Sequence, residues 1–202
     1  MTRALVTVAT GTHLDLLNIA RPSFQAFADL HGYDLLEAEP LDCVRPPSWW
    51  KVLILQAALR DYDEALWLDA DTVIVDGSED LNVPPDAWQA LVEHHTGDGD
   101  VPNCGVWLVR QPMAPVLDDL WTMTQYLSHG WWEQAGLHQL MGYRGRPVQL
   151  VSPTELYERT HFLDNGWNVH MWDDPQPAHP RIMHATMWKD RVGVMRQWAA
   201  AA

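Results

Sequence analysis

The chain has 202 residues, and its 13 Lys+Arg set against 27 Asp+Glu give a formal net charge of −14. So acidic a balance argues against nucleic acid or an anionic membrane surface as a partner, while leaving room for a local basic pocket. The length suits one domain with a sizeable core, and two cysteines, Cys43 and Cys104, offer no disulfide framework or CxxC metal site and point to a reducing cytoplasm.

Arg3–Ala9 reads as a buried strand, too short for a transmembrane span and unlike a signal peptide. It runs into Thr10-Gly11-Thr12, small residues that let a ligand approach the backbone, without the GxGxxG of a dinucleotide site. From His13 to His31, Leu17, Ala20, Phe24, Phe27 and Leu30 recur at helical steps; Pro22 is expected to kink or restart that helix, and Gly32 to end it. Tyr33–Glu37 reads as a second strand. After Pro46-Pro47, Ser48 is placed to cap a helix over Trp49–Arg60 that carries Val52, Leu55 and Leu59 on one face. Ala65–Leu68 is a third strand, so the first half is strand–helix–strand–helix–strand, a doubly wound α/β pattern.

The second half is less regular. Gly97–Pro102 reads as a polar loop, Asn103–Val109 as a strand, Met113–Leu127 as a helix, and a shorter helix begins near Trp131 and ends near Gly142. Val148–Val151 and Arg181–His184 read as strands, and the intervening 153–180 region as loop. The Ala199–Ala202 tail carries no signal. Twelve tryptophans are more than a core needs, and an exposed indole can stack on a sugar ring, although packing is the default role.

The chain is organised around ALWLDADTVIVD, residues 65–76, where an apolar run is interrupted by Asp69 and Asp71. Two carboxylates inside such a run are costly unless a cation receives them. Residues two apart in extended chain share a side, so both can converge on one hard divalent ion. The competing reading is a plain turn in which Asp accepts from backbone N–H groups. The position at the carboxyl end of a strand, where ligands bind in open α/β sheets, favours the ion.

WWKVLILQAALRDYDEALWLDADTVIVD, NCGVWLVR, WWEQAGL and IMHATMWKD, in that order, resemble the metal-dependent glycosyltransferases of the GT-A fold. Nearest is the galactosyl/xylosyltransferase family related to yeast mannan and plant xyloglucan enzymes, whose first helix and second strand SFQAFADLHGYDLLEAE also resembles. The chain departs from that family in being short, without stem or anchor, and in its 153–180 region.

The resemblance implies a GT-A-like single domain: a Rossmann-like mixed sheet flanked by helices, with residues 1–80 as the nucleotide half and 81–202 as the sugar and acceptor half. It implies that Asp69, Asp71 and His184 hold Mn²⁺ (or Mg²⁺), an imidazole leaning towards manganese. Thr10, Gly11, Lys51, Asp69, Asn103, Gly105, Trp188 and Lys189 would bind the donor, with Arg191 as a second cation and Trp131 and Trp132 as walls. Asp71, Glu133 and Gln134 would be the catalytic residues, Asp71 as the firmer metal ligand and Glu133 with Gln134 at the reacting sugar.

The expected activity is transfer of a hexose or pentose from a nucleotide sugar, UDP-linked by preference, to a hydroxyl acceptor. Retention of configuration is implied by the resemblance, while an inverting path with Glu133 as base stays open. Two rivals are a haloacid-dehalogenase-type phosphatase with Asp69 as nucleophile and Asp173-Asp174 as its late acids, and a nucleotide-sugar-binding protein without turnover.

Overall fold

The computed structural model describes residues 1–202. Strand β1 (Arg3–Val8) leads into α1 (His13–His31), β2 (Asp34–Ala38), α2 (Trp50–Ala58), β3 (Glu64–Leu68) and β4 (Thr72–Ile74). The second half runs β5 (Gln89–Thr96), β6 (Gly99–Arg110), α3 (Ala114–Thr122), α4 (Trp132–Met141), β7 (Tyr143–Arg144) and β8 (Gln149–Leu150). It closes with α5 (Glu155–Glu158), β9 (Thr160–Leu163), β10 (Ile182–His184) and α6 (Arg191–Ala201).

The main sheet has the order β2-β1-β3-β6-β5-β9. β1 pairs in parallel with both β2 and β3, and β5 with β9, while β6 lies antiparallel between β3 and β5. β4 and β10 form a separate antiparallel pair beside it. Central strands are buried on both faces, and β3 is buried throughout. One face carries α2, α3 and α4 over Trp49, Trp67, Trp107, Leu55, Leu117 and Leu137. The other carries α1 and α6 over Leu5, Leu66, Leu68, Phe24, Phe27 and Met195. This mixed sheet between helical layers is the architecture expected from the first three strands.

Several local expectations change. α1 passes through Pro22 without interruption, because Pro22 and Asn18 both lie on the exposed face, where a missing backbone bond is cheap. Gly32 ends it as expected, in the left-handed conformation at φ 74° with its N–H bonded to Ala28 O. Ser48 does not cap α2: a 3-10 turn over Pro47–Trp49 starts the helix, and the Ser48 hydroxyl has no protein partner.

Residues 99–102, expected in a loop, are the first rungs of β6, which forms a hairpin with the unanticipated strand β5. The 153–180 region contains α5 and β9, and β9 adds an edge to the main sheet. α3 stops at Thr122 rather than Leu127, and a separate 3-10 turn follows. The C-terminal tail is helical: Asp190 accepts from Gly193 N at 2.8 Å to cap α6, and Met195 is buried. No helix is long and apolar enough to cross a membrane.

Candidate active site

Asp69 and Asp71 follow β3 in a tight turn. Thr72 donates both its N–H, at 3.0 Å, and its hydroxyl, at 2.8 Å, to Asp69 O, and the Asp69 N–H is held by Gly105 O at 2.8 Å. The turn reading and the candidate ion site therefore coincide in one structure, and the carboxylates converge by chain reversal rather than by extended-strand periodicity. β10 pairs with β4 so that His184 stands opposite Thr72, which delivers the imidazole to the same turn. His184 Nε2 is 3.2 Å from Asp71 Oδ1 and 4.0 Å from Asp69 Oδ2. One donor atom from each of the three residues falls within 4.8 Å of the others.

Two cations flank the cluster. Lys51, the second residue of α2, is buried, with Nζ 3.0 Å from Asp69 Oδ1, 3.1 Å from Glu133 Oε1 and 3.1 Å from Cys104 O. Arg191, the first residue of α6, lies 3.3 Å from Asp71 Oδ2 and 3.1 Å from His13 Nε2. Burial opposes the Lys51 charge, but Asp69 and Glu133 more than offset it, so the ammonium is held above its ordinary range. Glu133 is pushed up, mainly by burial, with Lys51 pulling the other way. Asp71 is also buried, yet His184 and Arg191 outweigh that effect and bring it down to about 2. The site is thus set to keep Asp71 ionised and Lys51 protonated.

These groups face a cleft of about 1170 Å³ that runs from the carboxyl ends of β1 and β3 to α4. Thr10, Lys51, Asp69, Asp71, Asn103, Gly105, Glu133, Gln134 and His184 all line it, as do Trp131, Trp132 and Arg191. Glu133 Oε2 is buried without a protein partner, and Gln134 Oε1 accepts from Cys104 N at 3.2 Å. Gly105 must be glycine, since a Cβ there would stand 2.3 Å from His184 Cε1.

Three expected residues are not brought to the cleft. Gly11 adopts φ 56° in an exposed turn outside it. Met187, at φ 64°, reverses the chain after β10, so Trp188 turns back and packs edge-on against Trp198 of α6, with ring centroids 6.0 Å apart. Lys189 is exposed beyond the lining. Arg191, two residues on, occupies the place expected for Lys189.

Three lining residues, His94, His170 and Trp172, went unread as site residues. His94 sits on the strand that lacked a sequence signal, and its Nδ1 is bonded to Asp173 Oδ1 at 2.9 Å. Asp173 also accepts from His170 N at 2.7 Å, so its carboxylate is engaged within this loop, while Asp174 lines the cleft. His170 stacks on His94, and Trp172 is exposed on the rim. No spacing rule marks these residues, because they meet only through β5 and the return to β10.

No protein-family model and no curated protein matches the sequence. Solved structures do. A glycosyltransferase involved in glycosylation of the major capsid of the virus PBCV-1 is 15% identical, with a TM-score of 0.73 over 98% of this chain and 100% of that one. The glycosyltransferase GlyE of Streptococcus pneumoniae TIGR4 is 15% identical with a TM-score of 0.67, over 98% of this chain and 60% of that one. The galactosyltransferase LgtC, solved with donor and acceptor sugar analogs, is 13% identical with a TM-score of 0.56, over 98% and 95%. At such identities the likeness establishes the fold, which is GT-A.

Proposed function

We propose that this GT-A-fold chain transfers a hexose or pentose from a nucleotide sugar, preferentially UDP-linked, to a hydroxyl acceptor, as a relative of the galactosyl/xylosyltransferases. The observation that carries the reading is the convergence of Asp69, Asp71 and His184 at the carboxyl end of β3, between two cations and inside a large cleft. Glycosyltransferases of the same fold, one with donor and acceptor sugar analogs, support it. Two free cysteines, one of them buried, agree with a cytoplasmic setting.

The hard step in such a transfer is departure of a diphosphate from the anomeric carbon. Two carboxylates and one imidazole nitrogen suit Mn²⁺ better than Mg²⁺, which favours all-oxygen surroundings. Asp69, Asp71 and His184 would hold the ion, which supplies positive charge beside the diphosphate. Lys51 and Arg191 add fixed positive charge at the same end of the cleft, where it counts most as negative charge develops.

Residues 1–80 contribute Thr10, Lys51 and the Asp pair to a nucleotide half, and residues 81–202 contribute Asn103, Gly105, Glu133 and Gln134 to a sugar half. Glu133, whose Oε2 has no protein partner, would accept from a sugar hydroxyl or face an oxocarbenium-like centre, with Gln134 beside it. The acceptor is positioned rather than strongly activated, in a retaining reaction. Trp132 and Trp172, the exposed tryptophans, stand on the rim where an acceptor ring would stack.

The test is thermal shift with UDP in the presence and absence of Mn²⁺, followed by a nucleotide-sugar panel read out as nucleotide diphosphate release. Mn²⁺-dependent stabilisation by UDP, with turnover of at least one donor, is the expected result. Hydrolysis of a generic phosphate ester, abolished by Asp69→Asn, overturns the reading. Binding of UDP sugars without turnover on a broad acceptor panel makes the chain a binding protein.

A further inference from the structure

Behind His184 lies a chain of amide groups whose polarity is set by one backbone N–H. Gly105 N is 2.8 Å from Asn103 Oδ1, and a backbone N–H only donates, so the Asn103 atom facing it is its carbonyl oxygen. That same oxygen lies 2.8 Å from Asn168 Nδ2, which must be the donor of the pair. Asn168 therefore turns its own carbonyl oxygen the other way, to His184 Nδ1 at 2.9 Å. An oxygen cannot donate, so His184 Nδ1 carries the ring proton. In the neutral imidazole the lone pair is then on Nε2, the atom that faces Asp71 and Asp69.

His170 is the one neighbour that competes for this assignment, with Nε2 at 3.2 Å from His184 Nδ1. Were His170 to donate there, His184 Nδ1 would have to be a lone pair, facing the Asn168 oxygen at 2.9 Å across two acceptors. The amide polarity forbids it, so His170 keeps its proton on Nδ1, the ring atom that is buried without a partner. Asn168 is fully buried and His184 nearly so, which keeps water from rewriting the pattern.

We infer that Asn168 is a positioning residue of the cation site: it locks His184 in the Nδ1–H tautomer and so presents Nε2 as a ready metal ligand. The inference rests on the transferase reading only for what the ion is used for; the tautomer itself follows from the hydrogen bonds. A metal-bound imidazole that donates its other N–H to a fixed acceptor is a general device, and loss of such a partner costs about 10- to 100-fold in metal affinity.

The first measurement needs neither metal nor variant. Long-range ¹H–¹⁵N correlation on the histidine rings of the metal-free protein separates pyrrole-like from pyridine-like nitrogens. A pyrrole-like Nδ1 in His184 is expected whatever the state of Nε2, which shares a proton with Asp71 until a cation replaces it, and a pyridine-like Nδ1 overturns the proposal. The second measurement is Mn²⁺ affinity from the paramagnetic resonance of the free ion. Asn168→Leu is expected to weaken it about 10- to 100-fold and to free the His184 ring from its fixed Nδ1–H form. If affinity falls in this variant while the His184 ring assignment stays as in wild type, Asn168 is only packing and the proposal fails. If Asn168→Leu does not fold, the ring assignment in the wild-type protein still decides. Failure of the transferase reading would show instead as absent UDP binding, with the His184 tautomer unchanged.

Discussion

Lys51 Nζ stands 3.1 Å from Glu133 Oε1, both side chains only 5% exposed, and the contact ties α2 to α4 in the lining of the cleft. The same ammonium reaches Asp69 from its other side at 3.0 Å, so one cation holds the carboxylates of two different elements. A buried charge stripped of its partner is far more costly than the intact pair is favourable.

Lys51→Met is therefore expected to destabilise the fold by about 3–5 kcal/mol, by leaving Glu133 without its counter-charge. Adding Glu133→Gln to that variant is expected to restore part of the loss. Urea unfolding of the two single variants and the double gives the coupling energy. A value near zero would show that the two groups act independently.

Among the histidines, His184→Ala is expected to weaken Mn²⁺-dependent UDP binding more than about 10-fold, since it removes a direct ligand of the proposed site. His161→Ala, on β9 away from the cleft, is expected to leave that binding unchanged. Thermal shift against UDP at fixed Mn²⁺ reads both. Equal responses would remove His184 from the site.

Gly105→Ala places a methyl group 2.3 Å from His184 Cε1, closer than carbon atoms approach without a shift. The ring must give way, together with the nearby Asn103 Oδ1. A stability loss of about 1–3 kcal/mol is expected from overpacking, together with loss of Mn²⁺ binding. Retained Mn²⁺ affinity in this variant would mean that His184 does not need its present position.

Acid should destabilise the fold through His138. This imidazole is buried with Nε2 2.7 Å from Pro102 O, and burial lowers its pKa to about 4, the bond to Pro102 only partly opposing. The folded value lies below the unfolded one near 6.5, so the contribution is complete above pH 6.5 and is lost as the pH falls towards 4. The loss from this residue is about 3 kcal/mol at one pKa unit per 1.36 kcal/mol. His138→Gln, which keeps a donor for Pro102 O, is expected to flatten the stability profile in that window by a similar amount. Denaturant midpoints from pH 7 to pH 4 measure it, and an unchanged slope would contradict the buried neutral ring.

How much of this was visible without coordinates depended on whether the signal was local. The apolar runs Arg3–Val8 and Ala65–Leu68, the three-and-four spacing of α1 and Gly32 at its end each state their structure within a few neighbours. β5 did not: QALVEHHT spreads charge and imidazole along a strand whose inward contacts with β6 and β9 come from far along the chain. Tail helix α6 was equally silent, because what holds it is the packing of Met195 and Trp198 against α1, not its own pattern.

The amino-acid order by itself determined the α/β alternation and the Asp69–Asp71 pair at a strand end. Lys51, Glu133 and His184 were singled out through the resemblance to the GT-A glycosyltransferases rather than by their own local pattern. Only the tertiary structure decided how those side chains meet. Pairing of β10 with β4 brings His184 across more than a hundred residues to the Asp turn, and reversal at Met187 sends Lys189 outward and Arg191 inward. The polarity of Asn103 and Asn168 could not be read earlier either. It is set by a backbone N–H whose direction exists only once the sheet has formed.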